Sequence, residues 1–175
     1  LHCSGYRQLC EVMQMERLLS YLGYRCRDLE RLKPCPCKRH LTDPSIACSL
    51  LGLDENGLIS DLETMGFLFE ALCERDLWIY AQSLGGKLFH YQDYKEKEID
   101  AVVEMQDGTW GAFEIKLGAN QIDAAAKNLL DIRSRMLKEE EGRAPQLLCV
   151  ICGLTNAAYR REDDVCVIPI TSLRP

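Results

Sequence analysis

The stretch Glu98-Ile-Asp-Ala-Val-Val-Glu-Met-Gln-Asp-Gly-Thr-Trp-Gly-Ala-Phe-Glu-Ile-Lys-Leu117 decides how this chain is read. It reads as two strands, Glu98 to Met105 and Thr109 to Leu117, joined through Gln106-Asp-Gly108, a strong hairpin signal. Alternation along the second strand places Phe113, Ile115 and Leu117 on one face and Glu114 with Lys116 on the other. The first strand repeats the design, with Ile99, Ala101 and Val103 on the core face and Glu98, Asp100 and Val102 opposite. A carboxylate and an ammonium in the middle of an apolar strand are costly unless they are paired or bound to something.

Loop length settles whether the acids meet. A tight loop of Asp107 and Gly108 alone would pair 100 with 115, placing Asp100 on the face of Ile115. An odd loop at 106–108 pairs 105 with 109, and hence 100 with 114. Only the odd loop keeps Ile99, Ala101, Phe113 and Ile115 on one side, and Gly108 supplies the positive φ on which such hairpins commonly end. Asp100 and Glu114 then face each other. Close carboxylates repel, which favours a cation between them, and hard oxygen donors suit Mg2+ or Mn2+, ions that keep waters and accept phosphate oxygens. A lysine alongside can hold an attacking water or neutralise charge that develops at phosphorus. The plainer alternative for Asp100, Glu114 and Lys116 is a salt bridge on the sheet surface.

Outward from this hairpin the chain alternates helix and strand. Residues 5–22 read as a helix, and 23–42 as a connector rich in charge, proline and cysteine. Asp43-Pro44 opens a short helix to about Leu51, with Asp as N-cap and Pro in the first turn. Leu53 to Ser60 reads as a loop, and Ser60-Asp-Leu-Glu63 as a capping box opening a long helix that stops near Gly85-Gly86. Lys87 to Tyr91 is a further strand. A second amphipathic helix runs from about Gln121 to Leu137, with Ile122, Ala125, Ala126, Leu129, Ile132 and Met136 on its apolar side. Strands at Gln146 to Ile151 and Val165 to Ile168 follow, giving an α/β fold on a mixed sheet flanked by helices. The division expected is a helical and connector segment at 1–42 and one domain at 43–175.

Composition narrows the function classes. The longest apolar runs are far too short to span a bilayer, and no basic region followed by an apolar stretch marks an export signal, so no membrane partner and a cytoplasmic location are expected. The 10 cysteines are then read as reduced thiols. Cys35, Cys37 and His40 match no standard zinc spacing, and Cys149 and Cys152, three apart on a strand, point to opposite faces. Net charge is −6, with an acidic excess over 60–116 and a basic stripe at Arg25, Arg27, Arg31, Lys33, Lys38 and Arg39. An acidic total argues against tight nonspecific DNA binding, while the stripe permits weak or assisted contact with DNA or RNA. His2, His40 and His90 are scattered and form no triad, and Gly85-Gly-Lys-Leu88 lacks the spacing and the Ser/Thr of a phosphate-binding loop.

Glu98-Ile-Asp100, a turn and Glu114-Ile-Lys116 resemble the core signature of the PD-(D/E)xK nuclease superfamily. More narrowly, Gly66-Phe-Leu-Phe-Glu70, Tyr91-Gln-Asp93, Glu98-Ile-Asp100 and Glu114-Ile-Lys-Leu-Gly118 resemble the uncharacterised C-terminal domain of a group of prokaryotic AAA+ ATPases. Lys38-Arg-His-Leu-Thr-Asp-Pro-Ser45 resembles the segment entering that domain, so the likeness runs from about Leu32 to Pro169. It implies a restriction-endonuclease-like fold with an N-terminal helical extension, metal binding by Asp100 and Glu114, and a hydrolytic role for Lys116. Some nucleases of the superfamily place a helical glutamate at the metal, and Glu70 matches that position; its alternative is a carboxylate paired with Lys116 or capping a neighbour. Glu98 and Asp93 read as solvated or outer residues, and Gln121 as an exposed polar residue that could contact substrate. The chain starts at Leu1 rather than Met, as a piece of a longer protein would, and the ATPase partner with its nucleotide site is then expected upstream. Two functions follow: a Mg2+- or Mn2+-dependent nucleic acid phosphodiesterase module of that ATPase, or a non-catalytic interaction or regulatory domain that keeps the nuclease fold.

Overall fold

The computed structural model describes residues 43–92, 97–138 and 143–173. The expected helix at 5–22, the connector with its basic stripe, and Asp93 lie outside these residues. The described residues belong to two compact units that divide between Leu72 and Cys73. No described helix is long and apolar enough to cross a membrane.

The first unit is built from helices with aspartate caps. In α1 (Pro44–Leu51), Asp43 Oδ1 accepts the Ser45 N–H at 2.9 Å and Pro44 enters the first turn, where its missing N–H costs nothing. Residues 53–60, expected as a loop, instead carry α2 (Glu55–Ser60), because Asp54 Oδ1 accepts the Gly57 N–H at 2.8 Å and caps a turn. The capping box expected from Ser60 is also corrected. Ser60 ends α2, its hydroxyl donating to the Asn56 carbonyl, and Asp61 takes over, accepting both the N–H and the hydroxyl of Thr64. Asp61 thereby opens α3 (Leu62–Ser83). Ala47, Leu68 and Ala71 form the small core of this unit, with Cys48, Leu53 and Leu58 packed against it.

α3 continues into the second unit and ends where Gly85 turns to φ 74° and the Gly86 N–H donates to Ala81 O. A six-stranded mixed sheet follows: β1 (Lys87–Gln92), β2 (Glu98–Glu104), β3 (Trp110–Lys116), β4 (Leu147–Cys152), β5 (Tyr159–Arg160) and β6 (Cys166–Pro169), in the order β1-β2-β3-β4-β6-β5. The first three strands are antiparallel, β3, β4 and β6 run parallel, and β5 is an antiparallel edge strand that the sequence reading missed. Helix α4 (Ile122–Met136) crosses over between β3 and β4.

The apolar stripe of α4, Ile122, Ala125, Ala126, Leu129 and Ile132, is buried at helical spacing against Val102, Trp110, Ala112, Leu148, Val150 and Val167. Burying the Ile122, Leu129 and Ile132 side chains stabilises by roughly 1.5–3 kcal/mol each. This face of the sheet is therefore a core face too. Ala101, Phe113, Ile115 and Ile151 on the other face are also buried. The expectation of a single core face on β2 and β3 is corrected: Val102 lies under α4, and Ile99 packs in the same cluster as Val102. Strict alternation would have set those two on opposite sides.

Candidate functional site

The β2–β3 hairpin has the odd loop. Residues pair as Glu104↔Trp110, Val103↔Gly111, Val102↔Ala112 and Ala101↔Phe113. Met105 N–H donates to Thr109 O at 2.8 Å, which closes the loop at 106–108, and Gly108 stands at φ 78°. Asp107 Oδ1 accepts the Thr109 N–H and hydroxyl, bonds that lower the Asp107 pKa and brace the turn. One step beyond Ala101↔Phe113, the same register sets Asp100 against Glu114.

The reversal at Ile99 has a cause on the other side of β2. Pairing with β1 jumps from Phe89↔Val102 to Tyr91↔Ile99, so His90 alone stands opposite both Asp100 and Ala101. This is a β-bulge, which interrupts alternation and re-aims side chains. It also ends the regular ladder to β3. In an unbroken ladder the Ile115 N–H would meet the carbonyl of Ile99; here it donates to Asp100 Oδ2 at 2.8 Å.

Lys116 completes the cluster. Its Nζ donates to Asp100 Oδ2 at 2.8 Å and lies 2.7 Å from Glu114 Oε2. Asp100 is 6% exposed and Glu114 4%, whereas the Lys116 side chain is 26% exposed, so the ammonium lies on the side open to solvent. Burial first, and then the neighbouring Asp100 carboxylate, push the Glu114 pKa up to about 7, while Lys116 and Asn128 pull it back. For Lys116, burial disfavours the charge, but Asp100 and Glu114 outweigh it and hold the ammonium above its ordinary range. Two acids against one base leave the cluster short of positive charge.

That shortage, with hard oxygens on facing strands, fits a small divalent cation, which takes one or two protein carboxylates and fills its other positions with water or phosphate oxygen. Among the described residues no group of three or more His, Cys, Asp or Glu is gathered around a single metal position. The donor set placed together is the carboxylate pair.

Several neighbours went unnoticed in the sequence. Asn128 on α4 donates from Nδ2 to Glu114 Oε1 at 2.8 Å and to Glu98 O at 2.9 Å, and Lys97 Nζ approaches Asn128 Oδ1 at 3.4 Å. His90 Nδ1 lies 3.4 Å from the Asp100 carbonyl, to which it can only donate, and its Nε2 is 3.9 Å from Glu98 Oε2. The one sequence signal for Asn128 was a weak helix former kept in mid-helix beside the apolar stripe. Glu74, one turn after Glu70, is buried at 4%, which makes it the third buried charged residue among those described.

The structure thus gathers Asp100, Glu114 and Lys116. Glu70 is half-buried on α3 and belongs to the first unit, whereas these three residues belong to the second. Glu98 is exposed and contributes its backbone carbonyl. Exposed Gln121 accepts the Gly118 N–H at 3.1 Å, closing the turn before α4. Cys152 belongs to the core under α4, whereas buried Cys149 pairs across strands with Cys166.

A family model described as a domain of unknown function, DUF4143, matches residues 65–173, more than half of the chain, and the chain belongs to that family. No curated protein and no solved structure matches it.

Proposed function

We propose that this member of the DUF4143 family is a metal-dependent nucleic acid phosphodiesterase module, built on a restriction-endonuclease-like fold and working beside an AAA+ ATPase domain of the same parent chain. The observation that carries the reading is the Lys116 ammonium held 2.8 and 2.7 Å from two buried carboxylates on adjacent strands. Burying two acids and an amine costs several kcal/mol per ion unless their geometry is used. The arrangement of Glu98-Ile-Asp100 and Glu114-Ile-Lys116 across an antiparallel pair, followed by a helical crossover to a parallel strand, supports the same fold assignment.

In this reading Asp100 and Glu114 hold Mg2+ or Mn2+. The ion supplies an activated water and charge stabilisation at the phosphoryl oxygens. Lys116 stays protonated and balances the negative charge that develops as the phosphodiester is attacked. Asp100 is oriented by the Ile115 N–H, so it offers oxygen to a cation without rearranging the strand. DNA or RNA is the substrate class, bound weakly by an acidic chain and best gripped with the ATPase domain in place.

The deciding experiment incubates the chain with labelled single-stranded, duplex and branched DNA and RNA, with Mn2+ or with chelator, at low ionic strength. Cleavage that needs the metal and is lost in Asp100→Asn supports the reading. A full-length parent that hydrolyses ATP and binds DNA but never cuts, and whose function tolerates Asp100→Asn and Lys116→Ala, rejects it.

One observation favours a second reading, a non-catalytic interaction or regulatory domain. Lys116, the Ile115 N–H and Asn128 already hydrogen-bond the two acids, as a purely structural network would. Absence of any Mn2+ stabilisation distinguishes it from the first.

A further inference from the structure

We propose that Asn128 is the positioning residue of this site, fixing the distance between the strands that carry Asp100 and Glu114 and selecting the Glu114 oxygen that faces the cation. The assignment rests on the metal-site reading above. A primary amide has two N–H protons, and Asn128 spends one on each strand: one on Glu98 O, two residues before Asp100, and one on Glu114 Oε1. With Oε1 held by α4, Oε2 is the oxygen turned toward Lys116, 2.7 Å away. The amide orientation follows from its surroundings. Reversed, Oδ1 would face a carbonyl and a carboxylate, and the NH2 would face the Lys97 ammonium.

The clamp sits where the sheet needs one. Backbone pairing between β2 and β3 runs only to Ala101↔Phe113, because the bulge opposite His90 ends the ladder there. Beyond that point the strands are joined by side chains: Asp100 to the Ile115 N–H, Lys116 to both acids, and Asn128 to both strands. Of these, Asn128 is anchored from outside the sheet, since its neighbours Ala125, Leu129 and Ile132 are locked in the core. Asparagine in a helix interior is less favourable than alanine by up to about 0.7 kcal/mol, a cost its two bonds offset.

The test titrates the 175-residue chain with Mn2+, following free ion by electron paramagnetic resonance, in wild type, Asn128→Ala, Asn128→His and the exposed control Lys127→Ala. Loss of a residue that orients a metal ligand weakens affinity about 10-fold or more, so Asn128→Ala should show that loss while Lys127→Ala matches wild type. Asn128→His keeps one ring N–H near the same place and should regain part of the affinity, whatever its melting temperature. Wild-type affinity in Asn128→Ala overturns the assignment, as does a histidine variant that binds no better than the alanine one. Should the alanine variant fail to melt cooperatively, Mg2+ titration of the wild type decides: the Asn128 side-chain amide resonances should shift in step with binding, and an unmoved signal overturns the role. A wild type that binds neither ion overturns the metal reading and this inference together; normal binding with an indifferent Asn128 overturns the inference alone.

Discussion

Asp100 accepts the backbone N–H of Ile115 at 2.8 Å, so a side chain stands where a strand carbonyl would otherwise close the ladder. This one substitution of partners explains how a carboxylate can be 94% buried in a sheet and still be oriented at its open end. Asparagine at this position keeps an acceptor for Ile115 but removes the charge that faces Lys116.

Asp100→Asn should therefore fold, and should lose metal stabilisation. A ligand that binds only the folded state adds RT ln(1 + [L]/Kd), about 2.7 kcal/mol at roughly 100-fold excess over Kd. Melting curves with Mg2+ or Mn2+ should shift upward for the wild type and stay put for Asp100→Asn. Equal shifts in both would mean the ion binds elsewhere.

Glu114 sets a pH dependence. Its folded pKa, about 7, lies above the ordinary value of 4.5 because burial and Asp100 disfavour the charge. The folded state then holds a proton that the unfolded chain has released, so the contribution is fully present below pH 4.5 and is lost as pH rises through 7. In chelator, stability of the wild type should fall across that window more steeply than that of Glu114→Gln, measured by denaturant melts at fixed pH. Parallel pH profiles in the two proteins would refute the shift.

Lys116→Ala leaves two buried acids with less compensation. Leaving a buried polar partner unmatched costs about 1–3 kcal/mol, so the metal-free chain should lose that order of stability. Mn2+ should recover much of the loss and still bind, while cleavage drops by at least about 10-fold for want of the balancing charge. A variant that cuts as fast as wild type would remove Lys116 from the chemistry.

Gly108 closes the hairpin at φ 78°, and a Cβ there would meet Arg143 Nη1 at 2.6 Å. The arginine tip can move, but the backbone conformation cannot be relieved so easily, and an L-residue there costs about 1–2 kcal/mol. Gly108→Ala should lower stability by that amount in chemical denaturation. No loss would show that the turn has another conformation open to it.

Leu129 is 1% exposed at the centre of the α4 face. Leu129→Ala should cost about 2–5 kcal/mol through lost burial and the cavity left behind. It should also loosen Asn128 beside it, so Mn2+ affinity is expected to fall with it. A loss below about 1 kcal/mol would mean the core collapses around the gap.

By itself the sequence determined the order of α1, α3, α4, β1 to β4 and β6, the hairpin parity and the meeting of Asp100 with Glu114 and Lys116, because each rests on local rules. Period-2 alternation, a glycine able to take positive φ and an aspartate before a proline act within a few residues, and Gly108 and Asp43 obeyed them. Even locally, caps compete: Asp54 starts a helical turn inside an expected loop, and Asp61 rather than Ser60 caps α3. What only the tertiary structure decided depends on partners distant along the chain. The bulge on β2 exists because β1 supplies His90 alone against Asp100 and Ala101, and no periodicity within Glu98–Glu104 could reveal it. Asn128 reaches Glu114 only because α4 crosses the sheet at that register, 14 positions further along the chain. The same packing makes both faces of β3 buried, and it is this loss of water around Glu114, not its place in the strand, that raises its pKa toward neutrality.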